Sequence, residues 1–298
     1  MPLKLYVAIT DFDWFSFLSS RANIDEVNFW QPGGDRAFRA LAGEPFLFKL
    51  HSPRNYIVGG GFFIAWSKLP ISLAWESFEQ KNGATSLEEM RQRVTKYRAN
   101  VTSGDYQIGC ILLGEPFFWH EHDWIPIPRD WQPNIQVGRT YDLTTGHGKE
   151  LWVRVKQRLQ AERLKNVSKL MLAESTARHG PPTQILPRLG QGAFRILVTD
   201  AYKRRCAVTG ERTLPALEAA HIKPFGEDGP HRLDNGILLR SDLHRLFDRG
   251  YVTVSSDYVF DVSRRIQEEF ENGRDYYKLR GQTINLPNMR KRTLQKHF

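Results

Sequence analysis

LEAAHIKPFGEDGPHRLDNGILLRSDLHRLFDRG, residues 217–250, decides how the C-terminal part of this chain folds. LEAAHI reads as a strand, closed by Lys223 and Pro224. GEDGPHRLDNG gathers Gly, Pro, Asp and Asn, the residues of turns, and ILL follows as a short apolar strand. Ser241 is the expected helix N-cap, with Asp242 in the first turn, where the helix dipole favours a carboxylate. Leu243, Leu246 and Phe247 then fall at i, i+3 and i+4, the spacing of a buried helical face. Gly250 ends the helix. The expected order is therefore strand, polar loop, strand, helix.

On that frame His221, Asn235 and His244 form an H-x13-N-x8-H series. Such residues are common in isolation; their placement in a strand–loop–strand–helix context is not. The stretch resembles the HNH (ββα-metal) nucleases, in the branch that reads AAHI, then DNG and LLRSDLHRLFD. The resemblance extends upstream through GQGAFR and DAYKRRCAVTG and downstream through FENGRDYYKLRG, about the last third of the chain. It implies that His221 is the general base, since a neutral imidazole accepts a proton near neutral pH. It implies that Asn235 ties the loop together and helps orient that imidazole, and that His244 is a metal ligand. Asp248, four residues on and on the same helical face, can offer an oxygen to the same ion. A hard divalent cation, Mg²⁺ or Mn²⁺, would polarise the phosphate and take up charge on the leaving group.

One departure concerns the metal. Many members of the family carry a carboxylate or histidine just before the general base, and Ala220 stands there in this chain. Either His244 and Asp248 suffice with phosphate and water, or Glu218, one pleat repeat away on the same face of the strand, reaches in. His231 lies in the loop between the strands, where it could contact the scissile region or be an exposed loop histidine.

Composition sets the wider frame. The 298 residues suit two domains. Residues 1–150 hold 15 Lys and Arg against 17 Asp and Glu, a net of −2, and residues 151–298 hold 27 against 16, a net of +11; together they give the chain's +9. A basic second half fits a polyanionic substrate held through its phosphates. All eight tryptophans lie within residues 14–152, before the nuclease-like stretch, so two modules with different tasks are expected. The two cysteines, Cys110 and Cys206, form no CxxC pair, so neither structural zinc nor a disulfide framework is expected. The N-terminus lacks a signal-peptide pattern and no run is long enough to span a membrane, so a cytoplasmic protein with no membrane partner is expected.

The first module alternates β and α patterns. LKLYVAIT is a strand, DFDWFSFLSSR a short helix with Asp11 as cap, and EVNFWQPGG an extended stretch ending in a turn. PFLFKLHS and NYIVGGGFFIAW are strands joined at residues 53–55, and the run Gly59-Gly60-Gly61 implies a bulge or a close backbone approach. Two helices follow, split at Asn82-Gly83, the second opened by a capping box of Ser86 and Glu89. YQIGCILLGEPFFW is a further strand region, and YDLTTGHGKELWVRVKQRL runs into a helix.

TDFDWF, FLFKLHS and IVGGGFF in this order resemble the EVE/PUA-like fold, a small, mostly antiparallel barrel with helices at its rim. The fold class expected is α+β: an N-terminal PUA/EVE-like β-barrel with peripheral helices over 1–158, a helical and extended linker over 159–190, and a C-terminal ββα-metal HNH domain over 191–298. EVE/PUA-like domains read modified bases or RNA, and in bacteria they are found fused to HNH nucleases as modification-dependent restriction enzymes. The resemblance thus implies cleavage of double-stranded DNA carrying 5-methylcytosine or 5-hydroxymethylcytosine. Reading such a mark requires the base to leave the stack for a pocket. Trp14, Phe29, Trp30 and Trp66 are candidate walls, and His51, Ser52, Arg54 and Asn55 candidate polar contacts. Each of these aromatics also fits ordinary core packing. The patch Arg91, Arg93, Lys96 and Arg98 either meets DNA or is a solvated helix face.

QGAFRILVTDAYKRR reads as an amphipathic helix with Phe194, Leu197, Val198, Ala201 and Tyr202 inward. Its cationic end, Lys203, Arg204 and Arg205, together with Lys223 and Arg240, is placed to meet phosphate, as is the basic C-terminal run MRKRTLQKHF. Cutting both strands takes two active sites, so a homodimer is expected. Two alternatives stay open from sequence: a nuclease whose first domain reads phosphorothioate DNA, RNA or a partner protein, and a catalytically inactive DNA-binding regulator.

Overall fold

A computed structural model describes residues 3–34, 36–98, 104–170, 189–223 and 229–288. The linker expected beyond residue 170, the residues just after Lys223 and the C-terminal basic run lie outside them. The chain divides into two units, Met1–Arg188 and Leu189–Phe298. Among the described residues no helix is long and apolar enough to cross a membrane.

The first unit is built on one sheet. In chain order it comprises β1 (Lys4–Thr10), α1 (Phe12–Ser19), β2 (Glu26–Gln31), β3 (Pro45–Leu50), β4 (Tyr56–Pro70), α2 (Ile71–Phe78), α3 (Leu87–Thr95), β5 (Gln107–Phe118), β6 (Ile125–Pro126), β7 (Gly138–Asp142) and α4 (Gly146–Leu170). The strand order is β2-β5-β4-β3-β1-β7, with β6 on β4. The β1–β3 pair is parallel and the remaining pairs are antiparallel. Among the described residues the ladder is open, with β2 and β7 at its ends, so strand pairing does not close the expected barrel there. α4 runs through residue 159, where the helical part of the linker is expected to begin, as far as Leu170.

Both faces of this sheet are buried, and alternation sorts its residues between them. Ala8, Phe46, Phe48 and Leu50 pack with Trp14, Phe15 and Leu18 of α1. Leu5, Val7 and Leu47, one residue out of phase, pack on the other face with Trp131, Leu151 and Val155. The glycine run sits where β4 is pressed between its neighbours. A Cβ on Gly59 would stand 2.3 Å from the Phe117 carbonyl oxygen and one on Gly60 2.6 Å from that of Phe46. The register shifts directly after Gly60, as the glycines suggested. At the α3 N-terminus Ser86 accepts from the Glu89 N–H as a capping box requires, while the Glu89 carboxylate reaches one residue further back, to the Thr85 N–H.

The second unit contains α5 (Gln191–Ala201), β8 (Leu217–His221), β9 (Gly236–Arg240), α6 (Ser241–Asp248), β10 (Val252–Val254), β11 (Phe260–Val262), α7 (Arg265–Phe270) and α8 (Arg274–Tyr277). β8 and β9 form an antiparallel hairpin, as do β10 and β11. Its core joins Phe194 and Val198 of α5, and Tyr202 just past its end, to Ala220, Ile237, Leu239 and Leu243. Gly236, opposite His221 in the hairpin, makes the α5 contact possible: a Cβ there would lie 2.3 Å from Val198 Cγ2.

Two local expectations are corrected. Ile196 is buried on α5 and Leu197, expected inward, is only half-buried, while Phe194, Val198 and Tyr202 are buried as expected. Ser241 is the first helical residue rather than the cap, and Arg240 holds the N-cap position without a side-chain cap bond. β9 runs into α6 with no intervening residue, leaving Ser241 no room to stand outside the helix. Arg240 instead clasps Asp242 through two bonds of 2.7 Å. Leu243 is buried, Leu246 and Phe247 are half-buried against the core, and Gly250 turns the chain at φ +70°.

Candidate functional site

The loop between β8 and β9 is held by one amide. Asn235 is fully buried; its Oδ1 accepts from the Lys223 N–H at 2.8 Å, and its Nδ2 donates to the Lys223 and Pro230 carbonyls at 3.1 and 3.0 Å. The Ile222 N–H returns to the Asn235 carbonyl at 2.9 Å. A buried amide with each contact satisfied fixes both ends of the loop, because any slip would leave main-chain groups unpaired in the interior.

His221 ends β8, half-buried. Its ring stacks on Phe194, centroids 4.2 Å apart and planes 11° apart. Its Nε2 stands 3.0 Å from Nδ1 of His231. Burial, then the positive fields of His231 and His244, press the imidazole below its usual pKa, with Asp248 opposing. His221 is thereby neutral, and able to accept a proton, somewhat below the pH at which a free histidine would be. Asn235 does not hold the His221 ring in this arrangement; its amide serves the loop backbone.

His244 projects from α6 between two carboxylates. Its Nδ1 is 2.7 Å from Glu218 Oε2 and its Nε2 3.3 Å from Asp248 Oδ2. A neutral imidazole has one N–H, so it can satisfy one carboxylate; the other contact calls for a second proton or a cation between nitrogen and oxygen. With the N–H given to Glu218, the Nε2 lone pair faces Asp248. A carboxylate on Nδ1 is the usual way of orienting a metal-binding histidine. The donor chemistry therefore fits a hard divalent cation held by His244 Nε2 and Asp248, with Glu218 as the orienting group behind it. Ala220 is fully buried in the core and has no donor to offer a cation. Among the described residues no group of three His, Cys, Asp or Glu side chains is arranged to hold a metal ion.

Of the basic residues, Lys203 and Arg205 are exposed, while Arg204 pairs with Asp200 and Arg240 with Asp242. Lys223 lends its main chain to Asn235. Cys206 is buried in the core, its sulfur accepting from the Thr209 N–H.

In the first unit a cavity of about 540 Å³ opens between β1, β2 and the α1 entry. Trp14, Phe29, Trp30 and His51 line it; Trp66, Ser52, Arg54 and Asn55 do not. The two indoles are fixed by one acceptor: Trp14 Nε1 and Trp30 Nε1 both donate to the Asn82 carbonyl at 3.1 Å. Trp66 stands behind the wall, its N–H given to the lining residue Gln31. Arg54 stacks on Phe12 at 3.8 Å and Asn55 accepts from buried Lys49. Asp11 supplies a polar group that sequence did not single out for this role, receiving the Tyr97 hydroxyl and lying 3.4 Å from His51 Nε2. Arg93 is paired with Glu89, and Arg98 bonds the Gln107 carbonyl and stacks on Tyr106, so these two serve the fold.

Comparison with known proteins follows the division into units. Residues 206–255 match the family model described as HNH endonuclease, which supports a nuclease in the second unit and, with it, divalent-metal dependence and DNA binding. The crystal structure of ASCH from Zymomonas mobilis is similar at 11% identity over 50% of this chain and 94% of that one, with a TM-score of 0.35. A mutant form of the same protein gives 12% identity over 52% and 99%, with a TM-score of 0.34. No curated protein matches the chain in sequence.

Proposed function

We propose that this chain is a modification-dependent DNA endonuclease, in which a domain over 191–298 cuts double-stranded DNA selected by a base-reading domain over 1–158. The observation that carries this is the convergence of His221 with the His244–Asp248 pair beside a loop clasped by Asn235. A general base and a cation-holding pair are the two requirements of phosphodiester hydrolysis. His221 takes a proton from the attacking water, His244 and Asp248 hold Mg²⁺ or Mn²⁺, and Asn235 keeps the loop in register. The bound ion supplies charge stabilisation at the phosphate. Exposed Lys203 and Arg205 are placed to meet the DNA backbone.

The cavity of the first unit supports the reading half. It has aromatic walls, a volume in the range of small-ligand sites, and polar groups in Asp11, His51 and Gln31 that suit a base edge. A 5-methylcytosine or 5-hydroxymethylcytosine base swung out of the duplex would stack on Trp30, which is half-buried there. Two copies on one duplex would place two active sites, one for each strand.

The test is cleavage of otherwise identical duplexes carrying cytosine, 5-methylcytosine or 5-hydroxymethylcytosine, with Mg²⁺ or Mn²⁺. Cutting of modified DNA alone, lost in His221→Ala, is expected. Equal cutting of all three would discard the reader, and full activity of His221→Ala would discard the base.

A further inference from the structure

Gln31, the last residue of β2, lines the cavity of the first unit, and its amide is fixed from behind. Trp66 Nε1 donates to Gln31 Oε1 at 2.9 Å. An indole N–H can only donate, so the amide atom that meets it is the oxygen, and the NH2 group is the free end. Gly109 stands opposite Gln31 across β2 and β5 and leaves room for this bond. A Cβ there would lie 2.9 Å from Gln31 Oε1 and 3.1 Å from Trp66 Nε1. Among the described residues the Gln31 side chain makes no other hydrogen bond. Asp11 brings the opposite character to the same cavity. It holds the N-cap position of α1, yet its side chain makes no cap bond. The Tyr97 hydroxyl and His51 Nε2 both approach its Oδ1, and among the described residues Oδ2 has no partner. The cavity thus holds one fixed amide donor and one carboxylate acceptor beside its aromatic walls.

We infer that Gln31 and Asp11 are specificity-determining residues that read the hydrogen-bonding edge of the extruded base, with Trp66 as the positioning residue behind Gln31. Their role rests on the base-reading function proposed above. Cytosine offers its N4 amino group as donor beside N3 as acceptor, and a substituent at C5 changes neither. The amino group gives a hydrogen to Asp11 Oδ2, and N3 accepts one from Gln31 Nε2. Thymine carries the same methyl group at C5 but reverses the pair, with O4 as acceptor and N3–H as donor. Its O4 would face a carboxylate and its N3–H an amide N–H, so two repulsive contacts replace two bonds. A cavity that read the methyl group alone would take thymine as readily as 5-methylcytosine.

The test is binding by the full chain, in EDTA so that DNA is held but not cut. One duplex sequence carries cytosine, 5-methylcytosine or thymine opposite the same guanine, and fluorescence anisotropy gives each Kd. Thymine opposite guanine is mispaired and leaves the stack at lower cost, so weaker binding of it reports the cavity and not the extrusion. Expected is tighter binding of 5-methylcytosine than of thymine by roughly 10- to 100-fold. Gln31→Glu turns the donor into an acceptor and should bring that ratio to unity or below. Asp11→Asn should lower it too, because Tyr97 holds the oxygen and the amide nitrogen then faces the base. Trp66→Phe keeps a ring but removes the N–H. It should lower the ratio of 5-methylcytosine to thymine by roughly threefold while that of 5-methylcytosine to cytosine stays within about twofold; a merely structural role would move both. Thymine bound as tightly as 5-methylcytosine, with cytosine weaker, overturns the inference and leaves a reader of the methyl group. An unchanged ratio in Gln31→Glu overturns it as well. Equal binding of all three duplexes would overturn the base-reading function itself, and the inference with it.

Discussion

The histidine site of the second unit and the cavity of the first are built over different distances along the chain. His221, His231, Asn235, His244 and Asp248 all fall within one hairpin and the helix that follows it, and Glu218 lies three residues before His221. The cavity draws its lining from Tyr6 to Val137, across β1, β2, β5 and the segment before β7. The first arrangement is secured by main-chain bonds within a single loop, the second by packing of both sheet faces and by one carbonyl, that of Asn82, which holds two tryptophans. A site assembled locally is closed by a few short-range hydrogen bonds. A cavity assembled from distant strands needs the whole sheet in place before its walls meet.

The most damaging way to probe this contrast is at the chemistry. His221→Ala is expected to lower cleavage by about 10²- to 10⁴-fold while DNA affinity in a filter or anisotropy assay stays near the wild-type value; equal loss of binding would mean that the residue builds the unit rather than serves it. Next comes the clasp. Asn235→Ala leaves the Lys223 and Pro230 main-chain groups without their partner and should destabilise the second unit by roughly 3 kcal/mol, read as an earlier denaturant midpoint for its transition. Gly236→Ala, by forcing a Cβ against Val198, should cost about 1–3 kcal/mol there. If either change unsettled near-ultraviolet signals from the tryptophans, all of which lie in residues 1–152, the two sites would not be independently built.

A smaller effect is expected at the cavity. Trp30→Ala should reduce the preference for modified over unmodified duplex by roughly 10-fold, since one base–aromatic stack is worth about 1–3 kcal/mol; Trp66→Ala, behind the wall, should change it less. An equal loss from both would show that the preference reports stability and not stacking. The mildest prediction concerns pH. His221 is held below its usual value of 6.5, so the acid limb of the cleavage profile should fall below that pH. The same shift makes the unfolded chain bind this proton more readily than the folded one, so stability from His221 is present above pH 6.5 and declines as pH falls. That decline should be smaller in His221→Ala.

Much of the local architecture was legible because it rests on short-range rules. The hairpin and helix of 217–250, the Ser86–Glu89 box and the close approach at Gly59-Gly60 each follow from spacing, turn residues or the missing Cβ. Strand alternation left Glu218 open as a further metal ligand, and the structure sets its carboxylate against His244 Nδ1. Legibility ended where a residue's partner came from elsewhere. In WQPGG Trp30 stands at the edge of a turn, but only the β2–β5–β4 register puts it in the wall and Trp66 behind it. The N-cap at Arg240 depends on β9 meeting α6 without a spacer, which no cap preference records.

What the sequence determined by itself was the order of elements, the basic second half and the His–Asn–His spacing, since period, charge and turn chemistry act over a few residues. The tertiary structure decided the pairing of His221 with His231, the flanking of His244 by Glu218 and Asp248, and the gathering of Trp14, Phe29, Trp30 and His51 around one cavity. These depend on distances between side chains that lie apart in sequence, and such distances are fixed only once strand pairing and core packing have closed around them.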